Sequence, residues 1–187
     1  MYQGNNITAI QSQKWLGESL IKLMEQQDYQ TITIGAICKE ADLSRQTFYN
    51  VFDNKDDILR FCLRTQYENQ FHRFENQESI TVQQVVGVFS LVVAENQKLL
   101  RLMVKNNLES ILTDEMTKCV SLFADYFVKK AEHLSMLPYS RVLLSGALGH
   151  LLVYWFQQKQ PISIEQLTHL ITNFLEGNLF ELSDGDS

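Results

Sequence analysis

The chain has 187 residues, 45% of them hydrophobic, and a formal net charge of −6. That length admits one large domain or two small ones around a real apolar core, and the acidic balance argues against a nucleic-acid partner held by bulk charge. No run of about 18 uninterrupted apolar residues occurs, the cysteines form no CxxC-type pair and the histidines show no HxxxH spacing, so a membrane span, a disulfide framework, a metal site and a bound cofactor are all disfavoured.

With only 2 prolines and 8 glycines, and little β-branched alternation, helices should dominate. The N-terminal stretch MYQGNNITAIQSQKWLG lacks a basic region followed by an apolar one, so a cytoplasmic location is expected. Ile10, Leu16, Leu20, Leu23 and Met24 fit a first amphipathic helix from about Thr8 to Gln26. Thr33 is a good N-cap for a second, carrying Ile34, Ile37 and Cys38 to about Glu40. Ala41-Asp42-Leu43 then makes a tight turn into LSRQTFYNVF, where Ser44 caps a third, very short helix.

A long fourth helix follows Phe52, with Asp53 or Asn54 as cap and Asp56 and Asp57 in its first turn, where the helix dipole favours them. The polar run ENQES at 75–79 ends it and Thr81 caps the next. The helical pattern continues through VQQVVGVFSLVVAEN, QKLLRLMVKNN and about 108–130. Pro138 introduces a helix at about 139–158, and Ser163 with Gln166 forms a capping-box pattern for a last one at about 163–180. That makes about nine helices in all, with LSDGDS at 182–187 as a frayed tail.

Two short helices joined by a three-residue turn, the second capped by Ser and polar on its outer face, are the ingredients of a helix-turn-helix. Phe48, Val51 and Phe52 fall on the side that packs inward, which leaves Arg45, Gln46, Tyr49 and Asn50 outward. Entering a major groove N-terminus first, such a helix brings Arg45 and Gln46 to base edges, where Arg suits guanine and Gln suits adenine. Thr33, Ser44, Thr47 and Tyr49 are candidate phosphate donors. Residues 1–64 hold 7 Lys/Arg against 8 Asp/Glu, so DNA contact there rests on the placement of a few groups.

The segment TITIGAICKEADLSRQTFYNVFDNKDDIL resembles the DNA-binding segment of the TetR family of bacterial one-component regulators. The resemblance covers roughly residues 8–65 and is carried by Thr33, by Ala41-Asp42-Leu43-Ser44, by Tyr49 with Phe52, and by Lys55 opening the fourth helix. It departs at Asp42, where a Gly is usual; Asp tolerates a left-handed backbone better than most residues, so the turn should survive. The resemblance implies an all-α homodimer with a DNA-binding domain at 1–65, in which Lys55 is either a further phosphate contact or an ordinary helix-start charge beside Asp56 and Asp57, and a ligand-binding and dimerisation domain at 66–187.

The implied partners are a palindromic double-stranded DNA operator, a second copy of the chain and a small-molecule effector of unknown identity, with repression as the family's common mode. The implied dimer helices are the last two, through Leu143, Gly146, Ala147 and His150 on one and Leu167, Leu170, Ile171 and Phe174 on the other. The residues at 142–156 are apolar on more than one face, which asks for covering twice. Phe89, Met103, Met116, Phe123, Tyr126, Phe127, His150 and Tyr154 fit either the lining of an effector cavity or plain core. No GxSxG, HExxH or phosphate-cradling loop is present, which favours a non-enzyme. A second reading, from the acidic C-terminal part, is an interaction module or co-activator that works through a protein partner.

Overall fold

The computed structural model describes residues 2, 4, 6–74, 77, 80–127 and 135–178, the side chains of 123–127 excepted. Among them are nine α-helices and no strand: α1 (Ile7–Gln26), α2 (Ile34–Glu40), α3 (Arg45–Val51), α4 (Lys55–Phe71), α5 (Val82–Glu95), α6 (Gln97–Lys105), α7 (Glu109–Phe127), α8 (Leu137–Gln157) and α9 (Ile164–Leu175). The helix starts are written in the sequence. Thr33, Ser44, Asn54, Thr81 and Ser163 each accept a backbone N–H with their side chains, and Thr81/Gln84 and Ser163/Gln166 close full capping boxes.

The head is α1 to α3 with the start of α4. Leu16 and Leu20 of α1, Ile37 of α2, Phe48 of α3, and Ile58 and Leu59 of α4 are all fully buried together. Helix α4 runs unbroken through residue 65 and packs on α1 at one end and on α5 and α7 at the other, so head and body share one rigid element. A single-turn 3-10 helix at Tyr29–Thr31, with no signature in the sequence, fills the bend between α1 and α2.

The body pairs α7 with α8 and α5 with α9. Gly149 of α8 sits against Thr113 of α7, where an added Cβ would be in ordinary contact, whereas an added Cβ on Gly146 would meet open space. Close helix approach at Gly149 is therefore made within the chain. Among the described residues no helix is long and apolar enough to cross a membrane.

Candidate nucleic-acid interface and effector cavity

Helix α3 has a buried side and a working side. Phe48, Val51 and the following Phe52 are no more than 3% exposed, while Arg45, Gln46, Tyr49 and Asn50 face solvent, Tyr49 at 57%. Ser44 positions the helix: Thr47 N–H donates to Ser44 Oγ at 3.0 Å, and the two hydroxyls lie 2.8 Å apart. On α2, Ala36 N–H donates to Thr33 Oγ1 at 3.1 Å, which leaves the Thr33 hydroxyl proton to donate outward. The turn between the helices has Asp42 at φ 53°, the left-handed conformation that Gly adopts at no steric cost and Asp tolerates better than most residues. Leu43 N–H then returns to Cys38 O at 2.9 Å and closes the end of α2.

Two features of this face were not legible in the sequence. Gly35 lies under the Arg45 guanidinium, so that a Cβ there would come within 2.6 Å of Arg45 Nη2. Arg45 thus rests across the first turn of α2, close enough that its charge opposes the upward push of burial on the Cys38 thiol. Reaching a base edge requires it to swing off that rest.

The second feature bears on the phosphate contact expected of Lys55. Its ammonium is engaged within the chain, where it donates to Tyr29 O at 2.6 Å, Ile32 O at 3.1 Å and Gln30 O at 3.5 Å and lies 4.2 Å from the centre of the Tyr29 ring. Its three protons are matched by three carbonyls of the 3-10 turn. Burial lowers its pKa, and the neighbouring Asp56 opposes that shift.

In the body a cavity of about 430 Å³ opens between α4, α5, α7 and α8. Phe89 and Met116 are on its wall. Met103 is not; it is fully buried in the packing of α6. His150 and Tyr154 are not either, because the face of α8 that lines the cavity carries Leu144, Leu148 and Leu152, and these two lie on the exposed face. His150 Nδ1 instead sits 2.8 Å from Gly146 O. The side chains of Phe123, Tyr126 and Phe127 lie outside the described residues.

One carboxylate stands on the largely apolar wall. Glu115 is 1% exposed; Arg64 Nη2 donates to its Oε1 at 3.4 Å, Lys118 adds a second donor, Arg60 Nη1 lies 3.6 Å away, and Tyr67 Oη donates to Oε2 at 3.0 Å. Burial, and then the Glu115 charge, hold the Tyr67 phenol well above its ordinary range, so it remains a donor. Arg60, Arg64 and Tyr67 all belong to α4, the helix that continues into the head.

Of the residues expected at a dimer contact, Leu143, Ala147, His150 and Phe174 are exposed, Leu143 at 68%, and Gly146 and Leu170 are half-buried. Leu167 and Ile171 are corrections: both are 2% exposed, because their i,i+4 spacing turns them into the chain's own core.

Residues 18–61 match the family model described as bacterial regulatory proteins, tetR family. Over 71 residues, 38% of the chain, the sequence is 32% identical to the HTH-type dhaKLM operon transcriptional activator DhaS of Lactococcus lactis subsp. lactis (strain IL1403), and the match spans 36% of that relative's length. Among solved structures the chain is similar to Lin0861 from Listeria innocua, with a TM-score of 0.75 at 15% identity over 95% of this chain and 96% of that one. A TetR transcriptional regulator from Streptococcus agalactiae 2603V superposes with a TM-score of 0.58 at 16% identity, over 90% of this chain and 95% of that one. These likenesses establish the shared fold.

Proposed function

We propose that this chain, a member of the tetR family of bacterial regulatory proteins, is a cytoplasmic homodimeric regulator that binds a near-palindromic operator and releases it when a small molecule occupies the body cavity. The observation that carries the reading is the split of α3, with Arg45, Gln46, Tyr49 and Asn50 exposed together on one side while Phe48 and Val51 anchor the other. A dimer would set two such helices about 34 Å apart, one turn of duplex. Thr33, Ser44 and Thr47 would then hold phosphates, while Arg45 and Gln46 read bases.

The cavity supports ligand control through α4. The head continues through α4 into the cavity wall, so a ligand that prefers one tilt of α4 shifts the spacing of the two heads. We take repression relieved by ligand as the working sign; the Lactococcus lactis relative is named an activator, and an operator placed upstream of a promoter would give that outcome with the same protein.

Selection of random duplex DNA by the purified protein tests the reading, with enrichment of an inverted repeat as the expected result. A specific observation also favours a second reading, a head that acts only beside a protein partner: Lys55 is occupied by carbonyls and Arg45 rests on α2. A salt series separates the two. Direct phosphate contacts predict a log–log slope of about −0.9 per neutralised phosphate, and a flat response with no enriched site would transfer the proposal to the partner-dependent module.

A further inference from the structure

We infer that the body cavity takes an uncharged, predominantly aliphatic molecule whose single hydroxyl-type donor is turned to Glu115. This rests on the regulator reading only for its purpose, since binding is measurable without DNA. At about 430 Å³ the cavity is within the range of about 300–1,000 Å³ typical of small-molecule sites. Its described wall is built from aliphatic side chains such as Val85, Val92, Leu112, Leu148 and Leu152, with Phe89 and Met116. An apolar space of this kind accepts apolar matter and disfavours groups that must give up water on entering.

The polar groups on that wall decide the charge of the ligand. Among the described residues only Glu115 and Arg141 are ionised there, and both have partners within the chain. An anionic ligand at the Glu115 wall would face a carboxylate. A cationic one would face the Arg60, Arg64 and Lys118 charges already gathered on that carboxylate. At the Glu115 wall neither sign finds a counter-charge without displacing a pair, and an unpaired ion in apolar surroundings is strongly disfavoured. The hydroxyl protons present are committed as well: Tyr67 donates to Glu115, and Ser140 donates to Met136 O at 3.1 Å. Acceptor capacity remains, most strongly on the Glu115 carboxylate, whose Oε2 takes one hydrogen bond from Tyr67 and has room for a second from a neutral donor.

The test uses the fluorescence of N-phenyl-1-naphthylamine, an uncharged apolar probe, titrated into the full chain. Competitors of equal length are 1-decanol, decanoate and decylammonium, all below their aggregation concentrations. The expected result is saturable binding of the probe, displaced by 1-decanol at least ten-fold more effectively than by either ion. Met116→Trp and Leu148→Phe, each checked for folding by its thermal transition, should weaken probe binding at least ten-fold by filling the space. Absence of probe binding to the folded chain, equal or better displacement by an ion, or unchanged binding in both filled variants would each overturn the proposal. Random-duplex selection run in parallel keeps the two readings apart: probe binding without an enriched site removes the regulator reading alone, and an enriched site without probe binding removes the ligand class alone.

Discussion

The backbone N–H of Tyr29 donates to Asn106 Oδ1 at 2.8 Å, joining residues 77 positions apart in the chain. Asn106 stands at the end of α6 in the body, and Tyr29 opens the 3-10 turn of the head, so this bond is a direct tie between the two. Lys55 holds the same turn from below through Tyr29 O and Ile32 O, and Tyr29 Oη donates to Asp56. The turn is thus fixed from three sides by groups far away in sequence.

It follows that Lys55→Met should act on stability before it acts on DNA. Removing the ammonium strips its hydrogen bonds from Tyr29 O, Gln30 O and Ile32 O, a loss of about 1–3 kcal/mol, read as a lower urea midpoint at unchanged slope. Asn106→Ala should lose a similar amount by orphaning the Tyr29 N–H. A Lys55→Met protein of full stability whose affinity fell equally for all DNA sequences, with a shallower salt slope, would return Lys55 to the phosphate contacts.

Asp42 at φ 53° sets a second prediction. The left-handed region costs a residue with a Cβ about 1–2 kcal/mol, less for Asp, and nothing for Gly. Asp42→Gly should therefore stabilise the chain by about 0.5–1 kcal/mol, and Asp42→Val should destabilise it by at least as much. Thermal unfolding of the two variants decides; a loss on Asp42→Gly would mean that the Asp side chain itself holds the turn.

These two sites show what the sequence discloses. Caps and the helix-turn-helix core are local: a Ser or Thr whose oxygen accepts the backbone N–H three residues on, and Phe48, Val51 and Phe52 at helical spacing, point to one structure wherever they occur. The 3-10 turn is not local, since Lys55 and Asn106 hold it from other helices, and no periodicity in DYQTI announces it. The same limit applies to α8. A helix apolar on every face does not say which leucines meet the cavity, so Leu144, Leu148 and Leu152 could not be told from His150 and Tyr154 before the packing of α7 against it was known.

Arg45 supplies the third prediction. Its guanidinium sits where a Gly35 Cβ would be, a position it must leave to reach a base. Arg45→Ala should cost about 1–3 kcal/mol of operator affinity and blur preference at one position of each half-site, while leaving stability within about 0.5 kcal/mol of the parent because the residue is exposed. Base-by-base competition binding checks it, and an unchanged preference at every position would remove Arg45 from the base readers.

The thiols give a dependence on pH. Burial, with Glu18 adding for one and Glu115 for the other, pushes Cys62 and Cys119 up to about 12. An unfolded thiol titrates near about 8.5. Above that pH the unfolded chain releases protons that the folded chain keeps, so the stability these groups contribute is complete below about pH 8.5 and declines as pH rises toward the folded values. Between pH 8 and 10 the urea midpoint should fall, and it should fall less for Cys62→Ala with Cys119→Ala. An equal fall in that double variant would assign the dependence to other groups.

The exposed face of α8 carries the last prediction. Leu143, Ala147, His150 and Tyr154 fall at helical spacing on one side, and Tyr139 and Tyr154 are 74% and 63% exposed. On the proposed reading this exposed row, apolar at Leu143, Ala147 and Tyr154, is the surface that a two-fold dimer covers with its own copy. Glutamate at Ala147 or Tyr154 keeps the helix, because Glu is a good helix former, but buries an unpaired charge if that face is covered. If that reading holds, the parent should sediment as two chains, and each variant should stay folded and sediment as one. Leu167→Glu, which places the same charge in the chain's own core, should unfold it instead. Two folded variants that both remained dimeric would move the interface away from this face of α8.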